Sequence, residues 1–178
     1  MRIISGTHKG RKVIAPKNLP VRPTTDMAKE SLFNILNNRF YFDEISVLDL
    51  FSGTGSISFE FASRGTEQII AVDQNYNCIK FINKTSENFE FPISTLKSEV
   101  VKFLVSTKQK ADIIFADPPY NFTTTQFTEI SNLVFENNLL NEDGVLIIEH
   151  SKYTNLSENK NFVQSKNYGG CVFSFFEI

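Results

Sequence analysis

Residues 45–73, ISVLDLFSGTGSISFEFASRGTEQIIAVD, decide the fold. Ile45 to Leu50 is a short apolar run of the kind buried on both faces of a parallel sheet. It leads directly into a turn that holds Asp49, Gly53 and Gly55. An amphipathic helix is expected from about Ser56 to Arg64, ended by Gly65. A second strand, Gln68 to Val72, stops at Asp73. That acid lies 18 residues after Gly55, close to the spacing at which a carboxylate reaches ribose hydroxyls. The glycines let the backbone approach a ligand, and the helix N-terminus offers amides with no intrahelical partner.

The departures from a dinucleotide fingerprint narrow the ligand. GxGxxG lacks its third glycine, because the segment runs Gly53, Thr54, Gly55, Ser56, Ile57, Ser58. An acid at Asp49 repels a pyrophosphate but suits the cationic amino group of a methionine moiety. These residues favour a nucleoside ligand without phosphates, and S-adenosyl-L-methionine is the obvious one. A nicotinamide-dependent oxidoreductase is the weakest alternative.

Downstream, the alternation continues. A helix over Asn75 to Phe89 places Ile79, Phe81 and Ile82 in the core. A strand over Ile93 to Leu96 leads to Ser98 and Glu99, which either contact an adenine or cap a helix over Val100 to Ser106. After a fourth strand come a helix from about Thr125 to Asn137 and a fifth strand, Gly144 to Glu149. Finally, Phe162 to Tyr168 and Cys171 to Glu177 flank Gly169-Gly170, a hairpin signal. The pattern implies a mostly parallel α/β sheet with an antiparallel strand at one edge, and helices on both faces. The first and fourth strands then meet at the topological switch point.

The fourth strand carries the chemistry. In ADIIFADPPYN, residues 111–121, the apolar Ile113, Ile114 and Phe115 give way to Asp117 where the strand should surface. Pro118 and Pro119 hold the chain extended and exclude a helix start, and Tyr120 follows at the rim. An exocyclic amine is a poor nucleophile because its lone pair is delocalised. Two acceptors, the Asp117 carboxylate and the Pro118 carbonyl, would favour its pyramidal form, and Tyr120 could stack on the planar group at about 1–3 kcal/mol. An ordinary Asp-Pro turn after a strand is the plainer alternative. Convergence with the Gly53 turn in one crevice favours a site.

At the N-terminus, residues 2–15 place Ile3, Ile4, Val13 and Ile14 on either side of Gly6 and Gly10, which predicts a β-hairpin or arm outside the main core. Pro20 and Pro23 keep the next stretch extended. Thr24, Thr25 or Asp26 then caps a helix whose apolar face is Met27, Leu32, Phe33, Ile35 and Leu36; capping alone would account for the two threonines. The 178 residues, 41% hydrophobic, suit one domain, 1–178, with 1–25 as a basic appendage. Two separated cysteines, Cys78 and Cys171, and two histidines, His8 and His150, outline neither a disulfide framework nor a metal site. There is no apolar run of about 20 residues and no signal-peptide pattern, so a cytoplasmic location is expected.

The net charge of −2 conceals an asymmetry. Arg2, Lys9, Arg11, Lys12, Lys17 and Arg22 fall within residues 1–25, which hold no acid. The rest of the chain has the other 12 of 18 basic residues and all 20 acids. A basic lobe on an acidic body is a phosphate-binding footprint, with a salt slope of roughly 0.9 per phosphate contact.

Taken together, RIISGTHKGRK, RPTTDMAKESLFNIL, DLFSGTGSISFEFASRG, Asp73, ADPPY and the closing hairpin resemble the RsmD family, class I Rossmann-like methyltransferases acting on guanine N2 of 16S rRNA. The resemblance covers nearly the whole chain. DPPY is shared with DNA adenine and protein glutamine methyltransferases; the RPTTD segment joined to a basic arm is far more specific. The family has glycine where this chain has Ser5.

The resemblance implies a seven-stranded sheet and S-adenosyl-L-methionine held by the Asp49 turn, including Phe51, Ser52, Gly53 and Gly55. Asp73 and Gln74 would lie at the ribose and Ser98 or Glu99 near the adenine. Asp117 and Pro118 would hold the amine beside Pro119, with Tyr120 stacked on the base and Asp117 also near the cofactor. Arg22, Thr24 and Thr25 would close the methionine end. RNA contacts would come from Arg2, Lys9, Arg11, Lys12 and Lys17. The implied partner is 16S rRNA in the small ribosomal subunit, met by a monomer without metal or membrane. Alternatives are an N-methyltransferase on DNA adenine or protein glutamine, and a non-catalytic RNA-binding module.

Overall fold

Five strands pair in parallel in the computed structural model, which describes residues 1–16, 19 and 24–178. They are β1 (Ser46–Leu50), β2 (Gln68–Asp73), β3 (Ile93–Lys97), β4 (Ala111–Ala116) and β5 (Leu140–Ser151). β6 (Phe162–Tyr168) and β7 (Cys171–Phe176) form the hairpin, and the sheet order is β3-β2-β1-β4-β5-β7-β6. β7 is antiparallel to both β5 and β6, so it sits second from the edge and β6 takes the edge itself. β1 lies between β2 and β4, which puts the switch point where the sequence pattern places it.

The apolar runs alternate between two cores. Val47, Ile69, Ala71, Ile113, Phe115, Val145 and Ile147 face one cluster, while Leu48, Leu50, Val72, Ile114, Ala116, Leu146 and Ile148 face the other. This is the period of two expected of strands buried on both sides. On the first face pack α1 (Asp26–Asn37), α2 (Ser56–Ser63) and α3 (Tyr76–Phe89); on the second pack α4 (Val100–Ser106) and α5 (Thr124–Glu136).

Three expectations need correction. The N-terminal arm is not outside the core: Ile3 and Val13 are buried in the first cluster, and Arg2 bridges Lys12 in antiparallel fashion. The arm lies along α2, where the amides of Ile4 and Ser5 donate to the Glu60 carboxylate at 2.8 and 3.0 Å and the Thr7 amide donates to the Ser63 carbonyl at 2.7 Å. Gly6 has φ +81°, and a Cβ there would sit 1.7 Å from the Ser63 carbonyl oxygen, so only glycine lets the two backbones approach. Consequently α2 is not amphipathic, because all eight of its residues are buried.

The third correction is on α1. Its inward face is Ala28, Leu32 and Leu36 with Lys29 and Phe33, at helical spacing, whereas Met27 is 62% exposed. Lys29 is 1% exposed; its Nζ donates to the Arg2 carbonyl at 2.7 Å and to Ser56 Oγ at 3.2 Å, and lies 3.5 Å from Glu60. Burial pulls its ammonium pKa below the usual lysine range, while Glu60 pulls the other way. Thr25 provides the cap, accepting from the Ala28 amide. Lys17, Pro20, Arg22 and Pro23 lie outside the described residues.

Candidate active site

The turn after β1 is built from strained backbone held by its neighbours. Phe51 has φ 59°, Gly53 52° and Gly55 75°. A left-handed aromatic residue costs on the order of 1–3 kcal/mol. Phe122 meets Phe51 edge-on at 5.7 Å, and the Ser52 amide donates to the Val72 carbonyl at 3.0 Å. Asp73, at the end of β2, accepts from the Gly53 amide on one oxygen at 2.8 Å and from the Asn75 amide on the other at 2.7 Å. The acid thereby fixes the glycine turn while keeping lone-pair capacity for a ligand.

Asp49 points beneath this turn and is 2% exposed. The Ser58 amide (3.1 Å) and Ser58 hydroxyl both donate to its Oδ2. Burial pushes the Asp49 carboxyl up to about 7, with nearby Asp73 adding to the rise and the Ser58 bonds opposing it. A cation placed beside it would restore the carboxylate.

The fourth strand ends against the first, where the Asp117 amide donates to the Leu50 carbonyl at 3.3 Å. Pro118 is buried, Tyr120 is 44% exposed, and the Phe122 amide closes the turn on the Pro119 carbonyl at 2.9 Å. Thr24 reaches in ahead of α1, its hydroxyl donating to Glu149 of β5 at 2.9 Å. A cavity of about 770 Å³ opens between these parts, a size suited to a nucleoside-like ligand.

Of the expected residues, Thr24, Asp49, Phe51, Ser52, Gly53, Asp73, Gln74, Glu99, Asp117, Pro118, Pro119 and Tyr120 line this cavity. Thr25 does not, being occupied as the α1 cap. Gly55 lies outside the lining; a Cβ there would meet Ile82 at 2.9 Å and Phe59 at 3.0 Å, so helix packing accounts for the glycine. Ser98 is also outside, while Glu99 both lines the cavity and caps α4 through the Val101 and Lys102 amides. Arg22 and Lys17 fall outside the described residues.

Sequence reasoning missed Phe122, Asn75, Thr54 and Ser56 in the lining, and Glu149 as the anchor of Thr24. Glu149 carried a readable signal, an acid closing an apolar run, as Asp73 and Asp117 do. Among the described residues the lining holds four carboxylates and no lysine or arginine. The Ser52 hydroxyl is buried without a hydrogen-bond partner in the same wall. Such a wall attracts a cationic, hydroxyl-bearing ligand and offers it an unsatisfied donor.

The described basic residues of the arm, Arg2, Lys9, Arg11 and Lys12, are exposed. Arg2 lies 3.5 Å from Asp26, and the Arg11 guanidinium is 6.0 Å from the Phe89 ring centroid. Among the described residues there is no cluster of three or more potential metal ligands and no helix long and apolar enough to cross a membrane.

Residues 1–177 match the family model described as Conserved hypothetical protein 95. The chain is 34% identical over 163 residues to Putative rRNA methyltransferase YlbH of Bacillus subtilis, covering 89% of this chain and 86% of that protein. It is 29% identical over 178 residues to Ribosomal RNA small subunit methyltransferase D of Haemophilus influenzae, covering 95% and 89%. Among solved structures it is similar to a putative methyltransferase, yhhF, from Escherichia coli, with TM-score 0.83, 25% identity and coverage of 99% and 96%.

Proposed function

We propose that this chain, which belongs to the RsmD family described as Conserved hypothetical protein 95, transfers a methyl group from S-adenosyl-L-methionine to the exocyclic N2 of a guanine in 16S rRNA. The substrate is the small ribosomal subunit or an assembly intermediate of it. The observation that carries the reading is the meeting of two motifs in one cavity: the Asp49-to-Gly53 turn and the Asp117-Pro118-Pro119-Tyr120 stretch share its wall.

The lining fits the cofactor. Asp49 receives its amino group, Asp73 its ribose hydroxyls, and Glu99 and Gln74 flank the adenine end. The unpartnered Ser52 hydroxyl gains an acceptor. S-adenosyl-L-methionine supplies an electrophilic methyl on a sulfonium that leaves readily. The residues of this chain therefore work mainly by alignment, an effect worth roughly 7–11 kcal/mol in well-oriented systems.

Asp117 and the Pro118 carbonyl accept the two hydrogens of the guanine amine and free its lone pair for attack. Tyr120 stacks on the base. Asp117 then accepts the proton that the alkylated amine sheds and passes it to water. The fixed tie from the Asp117 amide to Leu50 keeps the acceptor in register with the turn that holds the cofactor.

Transfer of a radiolabelled methyl group to unmodified small subunits, their naked RNA and duplex DNA tests the reading, with Asp117→Ala alongside. Label on the subunits or their RNA, lost in the variant, is expected. Label on DNA alone, or on none of the three despite tight cofactor binding, would overturn it.

A further inference from the structure

A second cavity, of about 550 Å³, lies between the arm and α3, outside the site described above. Lys12 of the arm and Lys80 and Lys84 of α3 line it, and among the described residues no acid does. Asn77 and Asn88 continue the row of Lys80 and Lys84 along one face of the helix. Phe81 and Phe89 supply apolar wall, and Ile14, 87% exposed, stands at the margin.

Two features set this groove apart from an ordinary solvated helix face. Acids outnumber bases 20 to 18 in the chain, yet three exposed lysines line this groove and no carboxylate does among the described residues, a local excess of positive charge that favours an anion. In addition, Asn75 lines the acid cavity and Asn77 lines the groove, so the start of α3 is shared by both.

We infer that this groove holds a stretch of single-stranded RNA, with its phosphates on Lys12, Lys80 and Lys84 and its bases or riboses against Phe81 and Phe89. The inference rests on the RNA reading above and names the surface that grips the strand leading to the target guanine. Lys80 and Lys84 are separated by about 6 Å along the helix axis, a span that successive phosphates of an extended strand can match. Aromatic walls beside a basic track are the features that bind single strands without reading sequence. A helix face, and not the arm alone, thereby forms the track for the RNA.

The test measures fluorescence anisotropy of a short labelled oligouridine against the full chain at several salt concentrations. Lys80→Ala/Lys84→Ala is compared with wild type and with Lys108→Ala/Lys110→Ala, two exposed lysines just before β4. The groove variant should bind roughly tenfold more weakly, with a salt slope shallower by about 1.4, while the control keeps the wild-type slope. Thermal melts and S-adenosyl-L-methionine affinity should match wild type.

Unchanged affinity and slope in the groove variant would overturn the inference, as would wild-type binding to polyglutamate as tight as to oligouridine. The two readings fail separately. Lysine-dependent RNA binding without methyl transfer to any RNA would sink the activity alone. Methyl transfer to RNA with unaltered binding in the variant would sink the groove alone.

Discussion

The two cavities of this molecule carry opposite charge. Among the described residues, the one at the carboxyl ends of β1, β2 and β4 is walled by Asp49, Asp73, Glu99 and Asp117 with no base, whereas the one beside α3 is walled by Lys12, Lys80 and Lys84 with no acid. A net charge of −2 averages over both and describes neither. Because charges are screened over about 8 Å at physiological salt, each cavity presents its own local field. The acid cavity suits a cationic cofactor and a polarised amine; the lysine groove suits a polyanion. Charge here is a property of sites.

The largest effect is expected in the acid cavity. Asp117→Ala should lower kcat by roughly 10²–10³, by analogy with loss of one preorganised polar contact in a reacting centre, while calorimetry shows the cofactor still bound. An equal loss from Lys80→Ala/Lys84→Ala at saturating cofactor and RNA would erase the distinction between the two cavities.

Tyr120→Ala should come next. Loss of stacking worth about 1–3 kcal/mol lowers kcat/KM by roughly 5- to 150-fold, and Tyr120→Phe should restore most of it. Retention of full activity in the alanine variant would remove the stacking role.

Asp49 gives a smaller, pH-dependent effect. With its carboxyl up at about 7, cofactor affinity by calorimetry should be about tenfold weaker at pH 6 than at pH 8, since protonation removes the charge that attracts the amino group. Asp49→Asn should flatten this dependence. The sign is opposite for the fold alone. The folded pKa is raised, so the stabilisation from neutral Asp49 is complete below pH 3.8 and is lost as the pH rises through about 7. The Tm of the ligand-free protein should therefore fall less over pH 5–8 in Asp49→Asn.

Much of this was legible in the residues. Strands buried on both faces must be continuous apolar runs, so β1, β2, β4 and β5 stand out, and an acid that interrupts or ends such a run needs a reason. Asp49, Asp73 and Asp117 were found this way. Glu149 showed the same signal, but its task depends on Thr24, 125 residues away in the chain.

Other features were hidden by the same physics. Glycine at 55 reads identically whether a ligand or Ile82 occupies the space. The arm could not be placed without knowing that Glu60, 55 and 56 positions on, would take its amides. That contact also turned α2 from an apparently amphipathic helix into a wholly buried one and drew Lys29 inside. Lys80 and Lys84 look like any solvated helix face until the arm is set opposite them.

The most direct test of the central claim digests the methylated product to nucleosides after reaction of the wild-type chain and Asp117→Ala with unmodified small ribosomal subunits. All label should appear in N2-methylguanosine with the wild type, and its initial rate of appearance should be roughly 10²–10³ lower with the variant, although both bind S-adenosyl-L-methionine. Label in N6-methyladenosine or in protein, or undiminished N2-methylguanosine in Asp117→Ala, would contradict the account.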